Sequence, residues 1–538
     1  MMKTIRYLIL CFLCNVMITQ WLYAQKSFGG LPLSFKKIYL SENVPTVEIP
    51  AEDIKVLKTK QSADKGTPYH IGNVKEVFYT MNNIGMTDIL PDGSKLWRVS
   101  FEIKEATFLN ISFKDFDIPE DAELFLYTPD KKFLLGKFTA KSALENQVFY
   151  TQSVPGERVV LEYYEPTNTL FGGSFTIDKI AYGFADFFKG VDLPFGISGP
   201  CQVNVKCEEE SWKNQINSVV CFQLWTAGGM FMCSGALINN MRNDRTPYIF
   251  TADHCLDNYA VTKFITYFNY QTNGCRSSTG TYGGAAIGME IVAHDNSDRS
   301  SDFALLKITG EIDSTYDIYF AGWDRSTGIS PLGACIHHPA GDFKKISIPF
   351  SVRDGKSIYA KYWEVYWIKN PNKGVTESGS SGSPLFNRNK QIIGSLHGGN
   401  SSCDNLNGSD YYGKFSNSWK NNNNSSPGRK LQPWLDPDNT DAMQCGGVPL
   451  SVKDFVFQPV KKLEIYPNPT KGVIIFGELP QNELAKVNVY NILSESVYTT
   501  SFMTAVENRL DLSFLKTGIY VLEITIKGQI YSSKVVIV

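Results

Sequence analysis

At 538 residues the chain is too long for one hydrophobic core, and roughly two to four domains are expected. Its 43% hydrophobic and 20% charged residues describe an ordinary globular protein, with no collagenous or disordered bias. A formal net charge of −2 gives no electrostatic reason for a polyanion partner, so nucleic-acid binding is set aside.

Lys3 and Arg6 precede an apolar run from Tyr7 to about Ile18, and a short stretch then ends in Tyr23, Ala24 and Gln25. A basic start, a short apolar core and a small residue before the cut predict a secretory signal peptide over residues 1–24. The run is shorter than the roughly 20 residues a membrane anchor needs, and no transmembrane segment is expected in the mature form.

Residues 25–195 contain no cysteine and read as strands, among them Leu96–Phe101, Leu124–Tyr127 and Val159–Tyr164, separated by turns such as Thr128-Pro129-Asp130. An antiparallel sandwich placed between a signal peptide and an enzyme reads as a propeptide that assists folding and blocks the site; a permanent accessory domain is the other possibility. Over 196–445 cysteines appear, Gly and Ser rise, and five of the six histidines fall here. A linker at 446–462 leads to a last block, 463–538, with strand-like runs at Val473–Phe476, Val487–Tyr490, Ile519–Ile524 and Ser533–Val538. The fold class expected throughout is all-β.

Cys11 and Cys14 leave with the signal, and six of the remaining nine cysteines lie between Cys201 and Cys275. Export makes disulfides the natural reading, and the odd total leaves at least one thiol without a partner in the chain.

Three motifs carry the chemistry. Thr251-Ala252-Asp253-His254-Cys255 follows an apolar strand, Ser301-Asp302-Phe303 places an acid before a buried one, and Gly379-Ser380-Ser381-Gly382-Ser383-Pro384 is a tight glycine-rich turn. A serine hydroxyl becomes a useful nucleophile when an imidazole takes its proton, which assigns Ser381 as nucleophile and His254 as general base. Asp302 accepts the other imidazole N–H and fixes the tautomer. The N–H groups of Gly379 and Ser381 form the oxyanion hole, each such donor worth on the order of 3 kcal/mol. Each motif alone is commonplace; in this order, in a secreted β-rich domain, they point to a serine endopeptidase. The sequence contains no His-Glu-x-x-His, and His337 and His338, adjacent on a strand, should face opposite ways, so no metal site and no cofactor is expected. Ser381 is followed directly by Gly382, which does not fit the Gly-x-Ser-x-Gly elbow of α/β-hydrolases.

The stretch from Gly196 to about Pro437 resembles the bacterial lysyl endopeptidases, a branch of the two-barrel chymotrypsin-like proteases. The matching residues include Gly196–Gly199 with Cys201 and Cys207, Ala321–Arg325, Ile336–Pro339, Gly374–Glu377, Leu396–Gly399 with Cys403, and Trp434–Pro437. The resemblance implies the disulfides Cys201–Cys403, Cys207–Cys275 and Cys233–Cys255. Cys221 and Cys335 are left either as a fourth bridge or as buried thiols, and Cys445 has no counterpart. It also implies Asp410 as the acid of the specificity pocket, since Val375 stands where trypsin-like pockets carry an aspartate, and a cut on the carboxyl side of lysine. His397, Gly398 and Gly399 complete the substrate-binding set, the glycines pairing with substrate backbone as an edge strand. Ser380 replaces the aspartate that pairs with the freed N-terminus in trypsin, so activation removes a steric block instead, with Lys189–Gly190 as a possible self-cleavage point. The last block, with Tyr466-Pro467-Asn468-Pro469 and Leu515–Val521, resembles the C-terminal sorting domains of the type IX secretion system, which implies that export machinery as a partner beside protein or peptide substrates. The competing reading is a catalytically silent cell-surface adhesin that keeps the fold.

Overall fold

A computed structural model of the chain describes residues 30–538 apart from 37–39, 42, 60–64, 186–197, 260, 298–299, 330–331, 371, 421–424, 451–460, 478, 492–495, 506–507 and 527–528. The signal segment, the Lys189–Gly190 bond, the boundary at residue 195 and most of the linker lie outside the described residues.

The chain divides into two units, Met1–Leu450 and Ser451–Val538. In the first, the strand Val219–Thr226 reads Val-Val-Cys-Phe-Gln-Leu-Trp-Thr and is buried along its whole length. A strand without the usual polar alternation must be covered on both faces. It pairs with Gly229–Ile238 and Lys263–Phe268, and Gly229–Ile238 pairs on through Tyr248–Thr251 to Phe303–Ile308 and Met289–Asp295. This sheet forms the first barrel, filled by Phe222, Leu224, Ile249 and Leu306. The second barrel uses Leu332–His337, Pro384–Asn387, Ile392–Gly399, Ser409–Lys414, Tyr362–Trp367 and Pro349–Asp354, paired in that order. Its interior holds Trp363, Val365, Trp367, Val375, Leu396 and Tyr412. A further apolar cluster containing Phe250, Phe303, Trp323, Ile336 and Phe386 joins the two barrels. This is the two-barrel chymotrypsin-like arrangement.

The region before residue 186 is a sandwich. One sheet contains Lys95–Glu102, Arg158–Glu165 and Glu123–Tyr127; the other contains Tyr69–Thr80, Ser174–Gly183 and Phe108–Asp117. Trp97, Phe101, Phe113, Leu161, Phe175 and Ile180 lie between them. The second sheet does not stop at the sandwich. Tyr69, His70 and Gly72 pair antiparallel with Met232, Phe231 and Met230 of the first barrel. A shared apolar cluster, with Tyr69, Ile71 and Tyr150 from one side and Trp225, Met230, Met232 and Tyr267 from the other, seals the junction. The sandwich is thus built onto the sheet of the first barrel.

The second unit is a small β-structure of its own. Leu484–Tyr490, Gly518–Ile526 and Gln529–Ile537 form one sheet, and Val473–Phe476 with Asn508–Asp511 belong to another. Val487, Val489, Leu522, Ile524 and Val535 fill its core, at the two-residue spacing of strands with one buried face. Among the described residues no helix is long and apolar enough to cross a membrane.

Candidate active site

The three sequence motifs converge between the barrels. His254 follows the strand Tyr248–Thr251, in a 3-10 turn tied to the neighbouring strand by the Cys233–Cys255 disulfide. Asp302 precedes Phe303–Ile308 and is held in the left-handed region at φ 53°. Its Oδ1 accepts the His254 backbone N–H at 2.9 Å, and its Oδ2 lies 2.7 Å from His254 Nδ1. An ionised carboxylate only accepts, so the imidazole donates from Nδ1 and keeps Nε2 as its basic nitrogen. Burial by itself would raise the Asp302 carboxyl pKa, but the imidazoles of His254 and His397 hold it well below the usual carboxylate range.

Ser381 is fully buried in the turn before Pro384–Asn387. Ser234 braces that turn from the first barrel: its N–H donates to the Ser381 carbonyl at 2.9 Å and its hydroxyl to the Gly379 carbonyl at 2.9 Å. Gly379 and Gly382 have φ of 87° and 77°, where a side chain is strained. A Cβ on Gly382 would stand 2.5 Å from the Ser234 carbonyl oxygen and 2.9 Å from the Ala252 nitrogen, so the glycine lets the serine turn approach the histidine loop.

His337, for which the sequence suggests no such role, supports the same turn. It is buried, with Nδ1 2.7 Å from Ser380 Oγ and Nε2 2.9 Å from Ser347 Oγ. Ser347 donates to the Val375 carbonyl, so it accepts from His337 Nε2–H; Ser380 then donates to Nδ1 and accepts the Glu377 N–H. Burial, helped by the charges of Lys65 and Lys345, pushes the His337 pKa down to about 3 and keeps the ring neutral. His338, the other member of the pair, is also buried, with Nδ1 2.9 Å from the Asp342 carbonyl.

Asp410 lies in the strand Ser409–Lys414 and is fully buried. Its Oδ2 accepts from Trp367 Nε1 at 2.7 Å, from Thr376 Oγ1 at 2.6 Å and from Ser401 Oγ. Its Oδ1 faces an ammonium group, Lys65 Nζ at 3.1 Å. That lysine comes from the sandwich region and is itself only 5% exposed. Its Nζ also donates to Thr376 Oγ1 at 2.9 Å, the Ser401 carbonyl at 2.5 Å and Ser401 Oγ at 3.0 Å. Burial lowers the Lys65 pKa, and Asp410 opposes that shift. At the other end of the residue, the Lys65 carbonyl accepts the Ser381 hydroxyl at 2.6 Å.

Gly398 and Gly399 end the strand Ile392–Gly399 and pair with Tyr411 and Asp410 on one side. The ladder to Pro384–Asn387 on the other side stops at Ser395. A Cβ on Gly398 would stand 3.3 Å from the Gly66 nitrogen and 3.4 Å from the Lys65 carbonyl carbon. One on Gly399, whose φ is 154°, would stand 2.3 Å from Asp410 Oδ1. His397 reaches Asp302, with Nδ1 2.5 Å from Oδ2, and packs against Tyr362 at 4.9 Å.

Disulfides join Cys201 to Cys403, Cys207 to Cys275 and Cys233 to Cys255. The first ties the arm following residue 198 to the loop that supplies Ser401. Cys221, Cys335 and Cys445 are buried free thiols, so no fourth bridge forms.

Residues 195–413 match the family described as lysyl endopeptidase, C-terminal domain, and residues 464–538 match the secretion system C-terminal sorting domain. A lysyl endopeptidase of Pseudomonas aeruginosa is 26% identical over 351 residues, covering 61% of this chain and 74% of the relative. Among solved structures, a thermostable serine protease from an extremophilic microorganism covers 37% of this chain and 92% of its own, at 16% identity and a TM-score of 0.27. The protease Anisep from Arthrobacter nicotinovorans covers 37% and 90%, at 14% identity and a TM-score of 0.28.

Proposed function

We propose that this chain, a secreted serine protease with a lysyl endopeptidase domain at residues 195–413 and a type IX sorting domain at 464–538, cuts peptide bonds on the carboxyl side of lysine. Ser381 attacks the carbonyl carbon while His254 takes its proton, and Asp302 steadies the imidazolium that forms. The backbone N–H groups of Gly379 and Ser381 receive the oxyanion. His254 then protonates the leaving amine, and water, activated by the same base, releases the acyl group from Ser381.

The observation that carries this reading is the placement of Lys65, with its ammonium on Asp410 and its carbonyl on Ser381. A buried carboxylate without a cation costs several kcal/mol, so the pocket favours a basic side chain strongly over a neutral one. The same geometry supports lysine over arginine. Oδ2 of Asp410 is taken by Trp367, Thr376 and the Ser401 hydroxyl, and Oδ1 accepts the Ser401 N–H at 3.3 Å, so the cation meets Oδ1 alone and shares it with that N–H. A guanidinium gains most from a carboxylate that offers both oxygens, whereas an ammonium is satisfied by one carboxylate oxygen and the Thr376 and Ser401 oxygens around it. Sorting by the C-terminal unit delivers the enzyme to the cell surface or the medium, where protein and peptide substrates are met.

Labelling of the matured protein by a lysine-type aryl phosphonate, located by mass spectrometry, tests the nucleophile. Attachment at Ser381 that is absent in Ser381→Ala is expected; unlabelled matured protein contradicts the reading.

A further inference from the structure

Lys65 belongs to the sandwich region, yet it occupies the site as a substrate would, and we propose that Lys65–Gly66 is a self-cleavage bond, cut by Ser381 of the same chain. The inference rests on the lysine-directed reading above and adds a specific bond to it.

Four contacts define the pose. The side chain fills the specificity pocket, with Nζ on Asp410, Thr376 and Ser401. The carbonyl oxygen is hydrogen-bonded to the Ser381 hydroxyl at 2.6 Å, which brings the carbonyl that follows the lysine side chain to the nucleophile. The bond itself lies against Gly398, where a Cβ would be 3.4 Å from the Lys65 carbonyl carbon and 3.3 Å from the Gly66 nitrogen. Beyond the bond, Tyr69, His70 and Gly72 run as a strand beside Met232, Phe231 and Met230, next to the Cys233 that braces the histidine loop. The pocket side chain, the scissile carbonyl and the chain on the leaving side are therefore all held at once, the condition under which an intramolecular attack gains most.

In the step, the Ser381 oxygen bonds to the Lys65 carbonyl carbon and its proton passes to His254. The Lys65–Gly66 C–N bond breaks, and His254 gives that proton to the Gly66 nitrogen. Water then adds to the acyl-serine, leaving a Lys65 carboxylate, a Gly66 amine and a restored Ser381 hydroxyl. Because the Gly66 side remains held by its strand, the amine stays near the acyl-enzyme and can rejoin it. Lys65 accordingly blocks the pocket until its side of the cut withdraws, which makes it plug and first substrate together.

The test is incubation of the purified full chain at neutral pH, followed by intact-mass and N-terminal analysis under denaturing conditions. A fragment beginning at Gly66 and a partner ending at Lys65 are expected, at a rate independent of protein concentration. Ser381→Ala, which keeps the plug intact, should yield neither, and Lys65→Gln should slow the cut by about 100-fold or more because the buried Asp410 loses its cation. Lys65→Arg, which retains the charge should Lys65→Gln fold poorly, should be cut more slowly than the parent. A parent chain whose matured form cuts lysyl peptides while no Gly66 terminus appears would overturn the inference and leave the functional reading standing. A Gly66 terminus in Ser381→Ala, or a rate that rises with protein concentration, would also overturn it. Matured protein inactive on lysyl peptides would instead count against the functional reading itself.

Discussion

His397 donates from Nδ1 to Asp302 Oδ2 across 2.5 Å, so one buried carboxylate serves two imidazoles. The family resemblance places His397 with the substrate-binding residues, and its Nδ1 also reaches Asp302. Asp302→Asn should lower kcat by about 10⁴, because the tautomer of His254 is no longer fixed. His397→Ala should lower kcat by about tenfold, the scale of one hydrogen bond to a charged group, and leave KM for lysyl peptides nearly unchanged. A raised KM with unchanged kcat would instead make His397 a substrate contact.

Asp410→Asn removes the charge but keeps the shape of the pocket. In the matured enzyme kcat/KM on lysyl peptides should fall about 100- to 1,000-fold, since the substrate ammonium is then buried unpaired. Thermal stability should hold or rise, because an unpaired buried carboxylate has been neutralised. Loss of stability in step with activity would point to Asp410 as a structural residue.

Gly399→Ala tests the close packing behind Asp410. The added methyl would stand 2.3 Å from Oδ1 and 2.5 Å from the Asp410 Cα, distances that force the strand or the carboxylate to move. Lysyl activity should drop by about 100-fold while the chain still folds, read from kcat/KM beside a circular dichroism melt. Full activity would show that the carboxylate has room to spare.

His337 gives the fold an acid limb. Its pKa is about 3 in the folded chain and about 6.5 when unfolded, so between these values the unfolded chain binds a proton the folded chain refuses. The contribution is complete above pH 6.5 and is lost as pH falls toward 3, on the order of 5 kcal/mol in all. Urea unfolding of the Ser381→Ala full chain from pH 7 to pH 4 should show this decline, and His337→Gln should flatten it by about one proton. An unchanged slope would show that His337 is charged in the fold.

The residues proposed to carry the reaction are legible in the sequence because each sits in a short contiguous motif: Ala252–Cys255, Ser301–Phe303, Gly379–Pro384. The all-β class followed from the same alternation that the strands display. Asp410 was legible through family resemblance alone; composition gives no reason to prefer it to the other acids. Its partners Trp367, Thr376 and Ser401 come from separate segments and meet only when Tyr362–Trp367 pairs with Ser409–Lys414. Lys65 is the clearest case of what a sequence hides. It is one of several lysines in a polar stretch with Lys55, Lys58 and Lys60, and nothing local sets it apart. Its role depends on a strand pairing, Tyr69 with Met232, that spans two regions the sequence presents as independent.

The central claim is cleavage after lysine by the Ser381 centre, and a peptide series differing only at the residue before the scissile bond tests it most directly. With the matured enzyme, the lysyl peptide should be cut with a kcat/KM at least about tenfold above the arginyl peptide and far above the glutaminyl and leucyl peptides, and Ser381→Ala should cut none. Equal rates for lysyl and arginyl peptides would contradict the single-oxygen pocket, and activity that survives in Ser381→Ala would contradict the account as a whole.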